Sequence, residues 1–407
     1  MFIQKHTLNN GLTVLMADTK AFPTVTILVL VGVGSRFENK ENAGVAHFFE
    51  HMAFKGSSKF KDALTLTKTI EGLGAEYNAY TSKEQTAYYI KLPVAHAQTA
   101  IQILADMVQY PLLKPEEIEK ERGVILEELN MYEDMPNHKV ARMYTEAMFP
   151  NNPLGLDIGG NKKTVGAMNQ KTIRSFLAAN YGPKQSVVLV SGGFSKEKGK
   201  EILAEIQKEF SQWKEVASPT ISEKITTQLP KPITVFHKKD TEQAHFIVGY
   251  RGVSYYDSNR HALQLLSLIL GGGMSSRLFY ELREQRGLCY YIYTSSEKYA
   301  DTGSIYTAAG VTADVTKIKK AIELVHVEHE KMATRGATQE ELTRVKEYLK
   351  GNILLSFEDS YNIASFLGKH YLHTKKIHTV EEALAQIDAV TLDDIKKVAQ
   401  RVMDKNQ

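Results

Sequence analysis

The sequence predicts an α+β fold made of two similar domains. Strand-like stretches come before helical patterns without repeating βαβ units, and the second half of the chain echoes the first. The chain is also 407 residues long, whereas single hydrophobic cores stop growing at roughly 250–300 residues. We therefore expect two domains, each a mainly antiparallel sheet packed with helices.

The elements of the first half follow from hydrophobic periodicity. The stretches LTVLMAD at 12–18 and TVTILVLVGVG at 24–34 predict strands. Apolar and polar residues alternate in AEYNAYTSKEQTAYYIKLP at 75–93, which predicts a strand, a turn and a second strand. Helical spacing continues from residue 95 to the proline at 111, and the proline-led acidic segment 114–135 predicts a further helix.

The internal repeat divides the chain. The segment 33–60 aligns by eye with 253–279, and the segment 115–135 has a counterpart at 339–360. Between these halves helical periodicity is lost and three prolines occur. The predicted organisation is a first domain at 1–213, a linker at 214–233 and a second domain at 234–407.

The stretch HFFEH carries chemistry in its spacing. On a helix, His47, Glu50 and His51 lie at relative angles of about 0°, 300° and 40°, so these three side chains, the triad, share one narrow face. Two neutral imidazoles four residues apart suit zinc, and the carboxylate beside the second can accept a proton from water. H-x-x-E-H is the inverzincin pattern. The alternative is an ordinary amphipathic turn.

The second half of the repeat bears on that alternative. Sliding Ser57 onto Ser275 carries the triad onto Leu265, Leu268 and Ile269. Aliphatic side chains therefore suffice for packing at these positions. The polar residues of the first copy indicate a function.

A catalytic zinc needs a third protein ligand. In the helix EKERGVILEELN, Glu121 and Glu128 are seven residues apart and lie on the same face, while Glu127 points about 100° away. We predict Glu128 as the ligand and Glu121 as an acid that orients a histidine or a carboxylate. The alternative is that both glutamates are solvated members of an acidic helix.

A second histidine pair occurs in HVEHE at 326–330. Its flanks form an amphipathic helical pattern, and no third ligand is evident. We predict that these residues are solvated surface.

Four stretches together resemble the pitrilysin/insulinase family of zinc peptidases, in its half-length branch of mitochondrial-processing-peptidase-like proteins. These are HFFEHMAFKGS, GAEYNAYTSKEQTAYY, EKERGVILEEL and GGGMSSRLFYELREQRGLCYYIY. The resemblance implies one zinc ion per chain and Glu50 as the general base. It also implies His47, His51 and Glu128 as zinc ligands and Glu121 as the supporting acid.

The resemblance implies substrate contacts as well. Asn78 and Ala79 match an edge strand that holds a peptide as an added strand. Arg283 and Tyr290 match a catalytic pair that contacts the substrate carbonyl and steadies the oxyanion. Without the resemblance, Asn78 and Ala79 would belong to an exposed hairpin, Arg283 to the surface and Tyr290 to the core.

Members of this family close two half-length units into a chamber, so one chain is half of a clamshell. The resemblance implies a zinc-dependent endopeptidase that acts on unfolded peptides as a homodimer, with each site completed in trans. A heterodimer with a homologous subunit stays open. The alternative function is a non-catalytic or partner-dependent subunit of a processing-peptidase-like complex.

The composition argues against several classes of partner and location. With 50 basic against 47 acidic residues, the chain has no broad electrostatic reason to bind nucleic acid or a membrane surface. Its single cysteine cannot form an intrachain disulfide. The beginning of the sequence lacks a signal or transit pattern, and its longest apolar run is far below the ~20 residues that span a bilayer. We expect a cytoplasmic location.

Overall fold

The computed structural model describes residues 2–217, 221, 225 and 232–403. Most of the predicted linker at 214–233 therefore lies outside the described residues. The chain divides into two compact units, and each consists of three segments. The first unit is Met1–Asn130, Leu156–Ser222 and Leu355–His378, and the second is Met131–Gly155, Glu223–Leu354 and Thr379–Gln407.

The described residues form a mixed α/β fold with two sheets. The strands are β1 (Phe2–Thr7), β2 (Thr13–Asp18), β3 (Thr24–Val31), β4 (Glu76–Thr81), β5 (Thr86–Pro93), β6 (Ser186–Gly192), β7 (Gln243–Arg251), β8 (Cys289–Lys298) and β9 (Gly303–Thr312). The helices are α1 (Val45–Ala53), α2 (Ala63–Gly72), α3 (Ala97–Gln109), α4 (Pro115–Asp134), α5 (Pro136–Met148), α6 (Lys162–Gly166), α7 (Gln170–Asn180), α8 (Lys196–Phe210), α9 (Arg260–Gly271), α10 (Val315–Arg335), α11 (Gln339–Ser356), α12 (Ser360–Thr374), α13 (Val380–Asp388) and α14 (Leu392–Val402). No helix in the described part of the chain is long and apolar enough to cross a membrane.

The first unit contains a six-stranded sheet in the order β1-β2-β6-β3-β5-β4. All neighbours are antiparallel except β2 and β6. The predicted strand, turn and strand at 75–93 is the β4/β5 hairpin, with Asn78 opposite Tyr89. This arrangement leaves β4 at the edge of the sheet.

Strand β3 explains why the first unit needs a distant segment. Its side chains are buried on both faces, as in a strand covered on two sides. Val25 and Ile27 belong to the main core, whereas Leu28 and Leu30 pack in a second cluster with residues of α12. The division at 213 and 234 assigns α12 to the second domain, but in the structure it covers the sheet of the first unit. Helix α5 shows the reverse. The predicted division assigns it to the first domain, but in the structure it belongs to the second unit.

The second unit contains an antiparallel sheet in the order β7-β9-β8. Helices α9, α10 and α14 bury their apolar faces in the same core as this sheet. The predicted repeat is present in the structure. The aligned segments 33–60 and 253–279 contain the helices α1 and α9, and the aligned segments 115–135 and 339–360 contain α4 and α11. The predicted mainly antiparallel sheets are confirmed, although the two sheets differ in size.

The prediction of a solvated surface for HVEHE is right for His326 and Glu330, which are exposed, and wrong for Glu328 and His329. His329 on α10 is only 2% exposed, and its ring nitrogens lie 2.9 Å from Oγ1 of Thr307 and 3.2 Å from the hydroxyl of Tyr250. Burial, with a smaller effect of His326, lowers the pKa of His329 to about 3. Glu328 is also buried and pairs with Lys331. The helix turns this side towards the sheet, where the histidine is neutral and its polar atoms are satisfied.

Candidate metal centre

A glycine and a buried glutamate hold the start of helix α1. Gly44 has a φ of 93°, a conformation that favours glycine. The buried carboxyl of Glu38 accepts hydrogen bonds from the backbone N–H groups of Gly44 and Ala46, at 2.7 and 2.8 Å. Burial raises the pKa of Glu38 to about 8, although these hydrogen bonds act in the opposite direction. Glu38 thus satisfies donors at the start of the helix that carries the triad.

Three side chains converge as a set of metal donors. The Nε2 atoms of His47 and His51 lie 3.7 and 3.6 Å from the same carboxylate oxygen of Glu128 on α4. A tetrahedral zinc with bonds of about 2.0–2.2 Å separates its ligand atoms by about 3.3–3.6 Å. Within the described residues this is the one group of three or more His, Cys, Asp or Glu side chains that could hold a metal ion. The donor set therefore fits zinc. The rejected alternative, Glu127, is exposed.

Glu121 forms a second layer behind His51. It is 5% exposed, and its two oxygens lie 3.1 Å from Nδ1 of His51 and 2.6 Å from Nζ of Lys55. Burial alone would raise the pKa of Glu121, but the hydrogen bonds to His51 and Lys55 lower it. With the proton of the neutral imidazole on Nδ1, that N–H donates a hydrogen bond to Glu121, and the lone pair of Nε2 is available to a metal.

The histidines differ in their electrostatic surroundings. Burial, followed by the charge of His51, lowers the pKa of His47. Burial also disfavours the charged form of His51, but its hydrogen bond to Glu121 and the nearby carboxylates raise its pKa. A metal ligand must be neutral, so His47 is prepared for coordination, whereas a proton competes with a metal at His51.

A glycine turn lies against the other side of His47. A methyl group at Gly159 would lie 3.9 Å from Nδ1 of His47, an atom that is buried and has no hydrogen-bond partner among the described residues. Gly160 has a φ of 75°, and a Cβ there would lie 2.3 Å from the carbonyl oxygen of Ala43. Only glycine permits this approach of the turn to the start of α1.

Glu50 points towards the edge strand. One of its carboxylate oxygens accepts a hydrogen bond of 2.7 Å from the hydroxyl of Thr81, the last residue of β4. On the same strand Asn78 is exposed and Ala79 is largely buried. The side-chain oxygen of Asn78 accepts a hydrogen bond from the N–H of Ala79.

Arg283 and Tyr290 belong to the second unit. Arg283 lies in a π-helical turn, Phe279–Glu284. The centre of its guanidinium group is 5.8 Å from the ring centroid of Tyr290 and 4.9 Å from that of Phe279. Tyr290 is 73% exposed, so the alternative of a core tyrosine is wrong. The two residues therefore form an exposed cationic and phenolic pair.

Comparison with known proteins agrees with this architecture. The insulinase (peptidase family M16) model matches residues 13–162, and the peptidase M16 inactive domain matches residues 167–349. An uncharacterized zinc protease of Bacillus subtilis is 32% identical over 404 residues, which are 99% of this chain and 96% of that protein. The chain belongs to the insulinase family of peptidases. A second family member, an uncharacterized zinc protease of Mycobacterium leprae, is 35% identical over 98% of this chain and 89% of its own length.

Solved structures of other proteins share the fold. A protease from Helicobacter pylori has a TM-score of 0.91 and 25% identity, and the match covers 99% of this chain and 97% of that one. A peptidase M16 inactive domain from Pseudomonas fluorescens has a TM-score of 0.88 at 19% identity, covering 100% and 96%. The family model named inactive domain, at residues 167–349, falls on the part of this chain that lacks the triad. The family resemblance predicted from the sequence is confirmed.

Several residues around the site were missed by reasoning from the sequence. Lys55 lies four residues after His51, a spacing that places both on one helix face and could have indicated their shared partner. Thr81 lies in the predicted hairpin at 75–93, but strand alternation does not predict which group its hydroxyl contacts. Glu38 and the glycine turn carry no local signal, because their contacts with α1 arise from the tertiary fold.

Proposed function

We propose that the protein is a zinc-dependent endopeptidase that cleaves unfolded peptides. The observation that carries the proposal is the convergence of His47, His51 and Glu128 on a single point, with the carboxylate of Glu50 on the helix of the two histidines. Membership of a peptidase family and the naming of relatives as zinc proteases support it.

His47, His51 and Glu128 would hold the zinc ion, and Glu121 would orient His51. Zinc at this position supplies positive charge that acidifies a water molecule and polarises a peptide carbonyl. Glu50 accepts the proton of the attacking water and returns it to the leaving amine, so that one carboxylate serves as general base and then general acid. Zinc loading is expected at one ion per chain.

The substrate lies along β4 in this proposal. An extended peptide adds to the open edge of the sheet beside Asn78 and Ala79, and its main chain forms the hydrogen bonds. The Arg283 guanidinium and the Tyr290 phenol offset the negative charge that develops on the carbonyl oxygen. Enclosure in a dimer would favour unfolded peptides. A homodimer completes each site in trans, and a heterodimer with a homologous subunit is the alternative.

The second candidate function is a non-catalytic or partner-dependent subunit of a processing-peptidase-like complex. A chain of Complex III2 from Candida albicans has the same fold, with a TM-score of 0.83 at 18% identity. The complete donor set and the Arg283/Tyr290 pair favour the enzyme over this scaffold role.

The decisive experiment compares wild type with Glu50→Gln on a mixed set of internally quenched peptides, with equal zinc content confirmed for both. Cleavage by wild type and its loss in Glu50→Gln are the expected result. If both proteins hold zinc and neither cleaves, the proposed peptidase activity of this chain alone is wrong, and the partner-dependent function replaces it.

Completion in trans has its own test. Glu50→Gln and Arg283→Ala are each expected to be inactive, but a mixed homodimer contains one site with both groups intact. Mixing the two should restore up to about a quarter of wild-type activity, because about half of the dimers are mixed and each has one intact site. Equal mixing without recovery would contradict a site shared between chains.

A further inference from the structure

The carboxylate of Glu50 is held by a side chain that projects from the edge strand. Thr81 donates its hydroxyl proton to Glu50 across 2.7 Å. The two residues are 31 positions apart, one on α1 and one at the end of β4. A hydroxyl bound to an ionised carboxylate is among the stronger hydrogen bonds in proteins. The contact therefore links the general base of the proposed function to the strand proposed to hold the peptide.

The backbone around Thr81 is well anchored. Thr81 pairs with Thr86 across the hairpin, and Thr86 is buried and donates its hydroxyl to the carbonyl of Val33 at 2.8 Å. The turn between them is closed by the N–H of Ser82, which donates to the carbonyl of Gln85. A hydroxyl on so fixed a backbone can hold a flexible glutamate side chain in one orientation.

The position of Thr81 along β4 gives the contact its meaning. Asn78 and Ala79 precede it on the same strand, within three residues. A peptide that adds to this edge forms main-chain hydrogen bonds to β4, the strand that carries Thr81. Substrate binding and orientation of Glu50 therefore act on one structural element.

We propose that Thr81 is a positioning residue, which orients the Glu50 carboxylate relative to the strand proposed to hold the peptide. This inference rests on the proposed peptidase function. Because Thr81 acts through Glu50, its hydroxyl contributes to turnover and not to peptide affinity. If the hydroxyl instead contacted the peptide, its removal would weaken peptide binding even in a variant that lacks the Glu50 carboxylate.

The first test compares Thr81→Val, which keeps the branched shape without the hydroxyl, with Thr81→Ser, which keeps the hydroxyl. We expect Thr81→Val to lower kcat by about 10- to 100-fold, because small misplacements of catalytic groups have effects of this size. KM should change by less than about twofold, zinc content should be unchanged, and Thr81→Ser should recover most of kcat. If Thr81→Val fails to fold, Thr81→Ala replaces it in the same comparison.

The second test measures peptide affinity without cleavage. A fluorescent substrate peptide is bound to Glu50→Gln and to the double variant Glu50→Gln/Thr81→Val, and fluorescence anisotropy gives Kd. Equal Kd values support action through Glu50, whereas weaker binding by the double variant overturns the proposal in favour of direct peptide contact. An active wild type with an equally active Thr81→Val overturns this inference alone. A wild type that cleaves nothing overturns the proposed function, and this inference with it.

Discussion

Helices α1 and α9 occupy aligned positions in the two halves of the chain, yet only α1 carries the polar triad. Each buries an apolar face, with Phe48 and Phe49 in the first unit and Leu266 in the second. They differ on the face of the triad, where Leu265 and Ile269 of α9 are fully buried and the residues of α1 are only partly buried. The fold thus needs only the shared apolar face, and the other face is free to carry metal ligands.

The partner helices show the same contrast. Aligning the start of α4 with that of α11 brings Glu121 to Val345 and Glu128 to Asn352. Glu121 and Val345 are 5% and 6% exposed, so a carboxylate occupies a position that an aliphatic side chain fills in the other copy. The buried carboxylate needs its partners His51 and Lys55, because an unpaired buried charge is strongly unfavourable.

The difference between the helices is tested most directly by giving α1 the residues of α9. The triple variant His47→Leu/Glu50→Leu/His51→Ile should lose zinc binding and reduce cleavage by more than about 1,000-fold, while circular dichroism shows a folded protein. The exposed control Glu127→Gln should keep zinc and activity. A triple variant that unfolds would show that the triad has a structural role that α9 does not reveal.

The supporting layer is tested by Glu121→Val, which places the residue of α11 in α4. We expect zinc affinity to fall by about 10- to 100-fold, because the acid no longer orients His51. Competition with a chelating dye measures the zinc Kd. Lys55→Met should change affinity in the same direction, since it removes the other partner of Glu121. Unchanged affinity in Glu121→Val would rule out an orienting role.

The two helices also differ in how their first backbone N–H groups are satisfied. Glu38→Leu should lower the free energy of unfolding by about 1–3 kcal/mol, because the buried N–H groups of Gly44 and Ala46 lose their hydrogen-bond acceptor. Helix α9 begins after Asn259, whose side chain caps no backbone group of the helix. Asn259→Ala is therefore the matched control, with an expected change below about 0.5 kcal/mol. Urea unfolding measures both, and equal effects would contradict a special role for Glu38.

The buried neutral His329 should make the folded protein less stable in acid. Because the pKa of His329 is about 3 in the folded protein and about 6.5 in an unfolded chain, the unfolded state binds the proton first. Stability is therefore lost as pH falls from about 6.5 towards 3, by up to about 1.4 kcal/mol per pH unit. Urea unfolding between pH 7 and 5 should show this extra loss in wild type relative to His329→Gln. Parallel pH curves would contradict it.

Which residues share a face could be predicted from the sequence alone. Helical spacing brought the triad together and aligned Glu121 with Glu128, and strand alternation predicted the β4/β5 hairpin. The repeat identified the polar triad as an addition to a helix that packs without it. These are local properties, because the periods of helix and strand follow from backbone geometry alone.

Which faces meet depends on the tertiary fold. The contacts of Thr81 with Glu50 and of Glu38 with the start of α1 join separate segments, and α12 returns from far along the chain to cover β3. The burial of His329, which an amphipathic pattern had suggested was solvated, likewise depends on the strands beneath α10. Periodicity orients a side chain relative to its own element, whereas its neighbours are set by the packing of the whole core.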